Sequence, residues 1–135
     1  MRNAIVVCLL LVPVACSQPG TPSCPEGTDR FTKYQLFMGR SGPDGEIVED
    51  GAWDIFLADT VTPRFPDGLT VLDGQGQWLG AEGLIKKERS KLLVILVTPG
   101  DDKMRLIDEI SDEYKRRFSQ ESVLQVVDDA CVSFR

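Results

Sequence analysis

Six consecutive residues, Leu92 to Val97 (LLVILV), are apolar at every position. A run of that length without polar interruption fits a strand in the middle of a sheet, covered on both faces. A central strand needs neighbours on each side, so the rest of the chain must supply strands to flank it and helices to cover it. Candidate strands lie at Thr32 to Gly39 (TKYQLFMG), Leu69 to about Trp78, and Ser122 to Phe134. Asp50 can cap a helix whose Trp53, Phe56, Leu57, Thr60 and Val61 share one face, and Pro63 ends it because the residue before a proline avoids the helical region. Lys103 to Phe118 is a second helix, with Met104, Ile107, Ile110, Tyr114 and Phe118 on one side and Lys115-Arg116-Arg117 suiting the dipole at its end. SGPDGE from Ser41 and GDD from Gly100 read as a turn and a stop-and-cap signal, and Lys86 to Ser90 as an irregular span.

The order is β-α-β-β-α-β. Its simplest closed solution is α+β, a ferredoxin-like split β-α-β: a four-stranded antiparallel sheet with two helices on one face. Strands one and three take the centre, and the last strand lies antiparallel to the first. One sheet face is left without helices, and the apolar row on it calls for a cover, such as a second copy, a protein partner or the tether.

The N-terminus does not belong to this domain. Ala4 to Ala15 is apolar throughout but, at about twelve residues, too short to span a bilayer, which takes roughly 20. It suits the apolar region of an export signal. Ala15 before Cys16, followed by SQPGTPS, resembles a bacterial lipoprotein signal, although Pro13 stands where Leu is usual. That resemblance implies cleavage after residue 15, acyl chains on Cys16 that anchor the protein to a membrane, and a tether over residues 16–30 ahead of a single domain, residues 31–135. Ser17 then favours the periplasmic side of an outer membrane, since the Asp that retains lipoproteins at an inner membrane is missing. With Cys8 removed and Cys16 acylated, Cys24 and Cys131 remain. In an oxidising envelope two such thiols pair, and the topology folds Cys24 back toward Cys131; two unpaired thiols are the alternative.

The whole chain of 135 residues carries a net charge of −6 and no histidine. An acidic chain without a basic block is a poor partner for nucleic acid. The missing histidine removes the commonest general base and metal ligand, so acid–base chemistry falls to Asp, Glu, Tyr or Lys. Too few ligands remain for zinc, and PDGEIVEDG lacks the spacing of a calcium loop. Neither metal nor cofactor is expected.

The stretch LTVLDGQGQWLG, Leu69 to Gly80, has glycines spaced as in a phosphate cradle. Such a cradle needs a helix after the glycines, and none is signalled here. Gly74 and Gly76 read instead as sites of a bulge or bend in a strand. In the expected topology Arg40, Asp50, Trp53, Asp73, Gln75, Gln77 and Trp78 share one rim, a candidate ligand site.

TKYQLFMGRSGPDG, TPRFPDGLTVLDGQGQW, SKLLVILVTP and QESVLQVVDDACVSF together resemble an uncharacterised family of small bacterial envelope proteins, often lipoproteins, known only as a domain of unknown function. Its members commonly carry Arg after the Trp, where this chain has Leu79. The resemblance implies an envelope location and one compact domain, and lends no mechanism. The function expected is a non-enzymatic binding or interaction module. The alternatives are an enzyme without histidine, acting at the rim near Arg40 and Asp73, and a structural spacer.

Overall fold

A computed structural model describes residues 23–42, 45, 48–100 and 103–135. The signal, Cys16, the first part of the tether through residue 22, much of the SGPDGE turn and the aspartates of GDD lie outside the described residues. The elements run β1 (Asp29–Gly39), α1 (Asp50–Phe56) continuing through a wider π turn over Leu57–Val61, β2 (Thr70–Leu79), β3 (Ile85–Val97), α2 (Met104–Phe118) and β4 (Leu124–Val132). The fold is α+β. Its single open sheet has the order β2-β3-β1-β4 with every neighbouring pair antiparallel, as expected of a split β-α-β.

Alternation along the strands decides which side is covered. Tyr34, Leu36 and Met38 of β1, with Leu93, Ile95 and Val97 of β3, pack against Trp53, Phe56 and Val61 of the first helix and Ile107, Ile110 and Tyr114 of the second. Both helices therefore lie on one face. The intervening positions Leu92, Val94 and Leu96 stay half-buried or exposed. The LLVILV run is thus covered on one face only, because the two helices suffice for one side of a four-stranded sheet. The helix ends gather aromatic rings: Phe56 lies 5.2 Å from Tyr114 and 5.9 Å from Phe118, edge to face.

Two local expectations are corrected. Lys86 to Ser90 is regular strand, paired with the outer half of β2. The pairing runs without a break from Thr70↔Val94 to Leu79↔Ile85, so Gly74 and Gly76 produce neither bulge nor bend. Gly74 has another reason to be glycine: a Cβ there would meet Ser90 Oγ at 2.8 Å. At the opposite end of the sheet Cys24 and Cys131 are joined as a disulfide, closing a loop between residues 107 apart. In the chain-entropy model such a closure contributes on the order of 4 kcal/mol.

Candidate functional site

β1 pairs with β3 only as far as Gly39↔Ser90, whereas β2 and β3 continue together to Leu79↔Ile85. The sheet therefore narrows to a two-stranded arm beyond the helices. The covered face carries Asp73 and Lys91 where the arm leaves the sheet, and Gln75 and Gln77 on β2 with Lys87 and Arg89 on β3 along the arm. The start of α1 abuts its base.

Charge collects in that corner. Lys91 continues the buried row of Leu93, Ile95 and Val97 by one step and is only 9% exposed. Its stem is covered and its ammonium reaches the rim, where Nζ stands 2.7 Å from Asp73 Oδ1 and 3.5 Å from Asp50 Oδ1. Arg40, 1% exposed, leaves the end of β1 beneath the segment leading into α1. Its Nε donates to the Val48 carbonyl at 2.7 Å and its Nη2 donates to the same oxygen. Its Nη1 lies 2.9 Å from Asp50 Oδ1, a charge contact without the alignment of a hydrogen bond. Two buried cations thus sit behind two carboxylates whose side chains are 69% and 77% exposed. Attraction to Arg40, above all, and to Lys91 holds the Asp50 carboxyl below its ordinary range, against some desolvation.

The floor of the corner is closed by α2. Tyr114 donates from its hydroxyl to the Gly39 carbonyl at 2.8 Å, and burial pushes its phenol well above the ordinary value. On the other side of the sheet the Glu88 carboxylate lies over Gly39 and accepts from the Ser41 N–H at 3.0 Å. A Cβ on Gly39 would stand 2.5 Å from that carboxylate, so a larger residue there would displace the Glu88 side chain from its place over the strand.

The residues named from sequence separate into three groups. Arg40, Asp50 and Asp73 come together around Lys91. Gln75 and Gln77 follow Asp73 along the same face of the arm, exposed and farther from the cations. Trp53 is 2% exposed in the core and Trp78 points to the open face, so neither lines the corner. Lys91 was missed. Its signal is the alternation itself: in phase with Leu93, Ile95 and Val97, it must face the helices.

A shallow depression of about 440 Å³ lies elsewhere, between the π turn and α2, among Asp59, Arg64, Glu109, Glu113 and Arg116. Its charges already answer one another: Arg64 to Glu109 at 3.2 Å, Arg116 to Glu113 at 2.6 Å, and nearby Arg117 to Asp59 at 2.9 Å. Cations at an open surface, each committed to its own carboxylate, make a weaker site than buried ones. Among the described residues no three Cys, Asp or Glu stand close enough together to hold a metal ion.

Comparison with known proteins places this geometry. The fold is similar to two solved chains, a phage SAM lyase in complex with S-methyl-5'-thioadenosine (TM-score 0.54, 17% identity, 84% of this chain and 95% of that one) and a phage SAM lyase in the apo state (TM-score 0.54, 16% identity, 85% and 97%). The expectation of a non-enzymatic module is corrected by this likeness: both of these chains of similar fold are of an enzyme. No curated protein matches the chain in sequence. A family model does, over residues 33–134: the chain belongs to the family described as a protein of unknown function, DUF3574.

Proposed function

We propose that this chain is an enzyme acting through the corner of Asp50, Asp73 and Lys91, on a small cationic substrate of the sulfonium class, S-adenosylmethionine being the first to assay. The observation that carries the reading is the pair of exposed carboxylates held in place by buried cations. Lys91 and Arg40 fix the carboxylates from behind and balance their charge, so the corner offers a positive substrate local contact with the outer carboxylate oxygens and no net negative field. A sulfonium offers no hydrogen to donate, so its recognition rests on close approach to such oxygens. The likeness to a SAM lyase supports the choice of substrate, as fold-level analogy only.

The chemistry suits a chain without histidine. When a carbon–sulfur bond of a sulfonium breaks, the electron pair leaves on sulfur as a neutral thioether, and no acid is needed to protonate it. The carbon fragment balances this loss by elimination: a C–H bond on the neighbouring carbon breaks, its electron pair becomes a carbon–carbon double bond, and the proton passes to a carboxylate, Asp73, the more exposed of the two, being the acceptor. Lys91, 2.7 Å away, keeps Asp73 oriented. The test is to incubate the purified chain with S-adenosylmethionine and follow release of S-methyl-5'-thioadenosine by chromatography. Turnover should fall about a hundredfold or more in Asp73→Asn, the scale of a lost general base. A folded wild-type chain that releases no thioether above the buffer rate would sink the proposal.

Location follows from other residues. The enzyme works in the bacterial cell envelope, held by acyl chains on Cys16. The Cys24–Cys131 disulfide supports this reading, since disulfides persist in oxidising compartments. Intact-mass measurement of the membrane-extracted protein should give a chain beginning at Cys16 and heavier by its acyl groups; a mass equal to the unmodified full chain would refute the anchor.

A further inference from the structure

Among the described residues β2 stands at one edge of the sheet, with β3 on one side and no strand on the other. Its residues from Val71 to Leu79 (VLDGQGQWL) read alike in chemical class from both ends about Gln75. Val71 answers Leu79, Leu72 answers Trp78, Asp73 answers Gln77, and Gly74 answers Gly76. We propose that this edge pairs with β2 of a second copy, antiparallel, about a two-fold axis at Gln75, joining two four-stranded sheets into one of eight strands.

The argument rests on fit, on cover and on the contrast between the two edges. A two-fold axis perpendicular to a sheet keeps each residue on its own face. On the open face it sets Leu72 beside the partner's Trp78 and glycine beside glycine. On the other face it sets Val71 beside Leu79, Asp73 beside Gln77, and the two Gln75 side chains together. No like charges are opposed at any rung, which is what an isologous contact demands. Leu72, in the sheet proper, and Trp78 and Leu79, on the arm two strands wide that has few neighbours to steady it, are 51%, 49% and 69% exposed. Pairing would cover part of these side chains, and the edge of β2, in both copies. The opposite edge, β4, differs: its sequence LQVVDDACV does not read alike from both ends, and its centre carries two adjacent acids, Asp128 and Asp129, each held by a cation of β1, Lys33 at 3.2 Å and Arg30 at 2.8 Å. Strand β2 has no lysine, no proline and one carboxylate, already paired to Lys91. The pairing also brings the partner's Gln77 next to Asp73, so each corner would gain a residue from the other copy. The pairing does not depend on the proposed reaction.

The test uses the full chain with Cys8→Ser and Cys16→Ser, in mild detergent, by size exclusion with light scattering. A dimer is expected. In Gln75→Cys the two new thiols face each other across the axis, with Cβ atoms about 5 Å apart, within reach of a disulfide. Oxidation in air with copper phenanthroline should convert most of that variant to a reducible dimer on a gel. Gln77→Cys, set four residues from its own copy across the axis, should give less than about a tenth as much, judged by the same reach limit. Trp78→Lys should turn the dimer to monomer while circular dichroism stays unchanged. A monomeric wild type, a trimer, or a dimer that cross-links equally well through either position would overturn the proposal.

Discussion

The two faces of the same strands differ more than their sequences do. Leu92 and Leu93 are adjacent leucines in one apolar run, yet Leu93 is fully buried beneath the helices and Leu92 lies half-covered on the open side. Lys91 and Arg40 are cations at the rim end of β3 and β1, yet they belong to the covered face and are both buried, at 9% and 1% exposed. Hydrophobicity read residue by residue separates neither case. The alternation of the strand, once anchored by its buried members, separates both. It follows that the covered face has two regions: an apolar one that supplies stability and a charged one, past the helix layer, that carries the candidate chemistry.

The largest expected effect is on the apolar region. Leu93→Ala removes a fully buried side chain wedged between Leu36, Val71 and the helices, and should cost about 3 kcal/mol, within the range for buried leucines. Leu92→Ala, the same chemical change one residue away, should cost less than half of that, since part of its surface is already in water. Urea unfolding of the two variants side by side gives the ratio directly. Equal losses would mean that the open face is as well covered as the other, by a partner or by chain outside the described residues, and the contrast between the faces would fail.

Much of this architecture is legible in the sequence because it rests on periodicity. The 3.6-residue spacing of Ile107, Ile110 and Tyr114 and the apolar phase of β3 both survive into the fold. The order of elements then leaves few antiparallel solutions. The outer half of β3 was not legible: KKERS has no apolar alternation, because the arm it forms is wet on both faces and only the backbone of β2 specifies it as a strand. The glycines of β2 misled for a related reason. Glycine signals a bulge only where the backbone needs its freedom, and Gly74 instead meets a side chain, Ser90, that no spacing reveals. Of the site, the convergence of Arg40, Asp50 and Asp73 follows from topology alone. The burial of Arg40 does not, because it depends on the Val48 carbonyl turning back over the guanidinium. Trp53 and Trp78 look alike in sequence, but helix phase sends one to the core and strand phase sends the other outward.

The smallest effect belongs to the charged region, and its sign follows from the Asp50 carboxyl. Arg40 and then Lys91 lower its folded-state value below the ordinary 3.8 of an unfolded aspartate. Folding therefore gains from the ionised form. That gain is complete above about pH 4 and is lost as pH falls through the lowered value, where the folded carboxylate takes up its proton. Asp50→Asn should lower stability at neutral pH and leave it indistinguishable from wild type at the acid end, so the two stability curves converge as pH drops below about 4. Because the Asp50 carboxylate is mostly exposed, added salt should shrink the neutral-pH difference as well. Leu93→Ala should behave in the opposite way, with a loss that neither acid nor salt diminishes. Denaturant midpoints for the three chains at pH 7 and pH 3, each with and without salt, test the distinction. An Asp50→Asn deficit that persists unchanged at pH 3 would mean that the carboxylate acts there by packing or hydrogen bonding and not by charge, and that the charged corner holds together as the apolar core does.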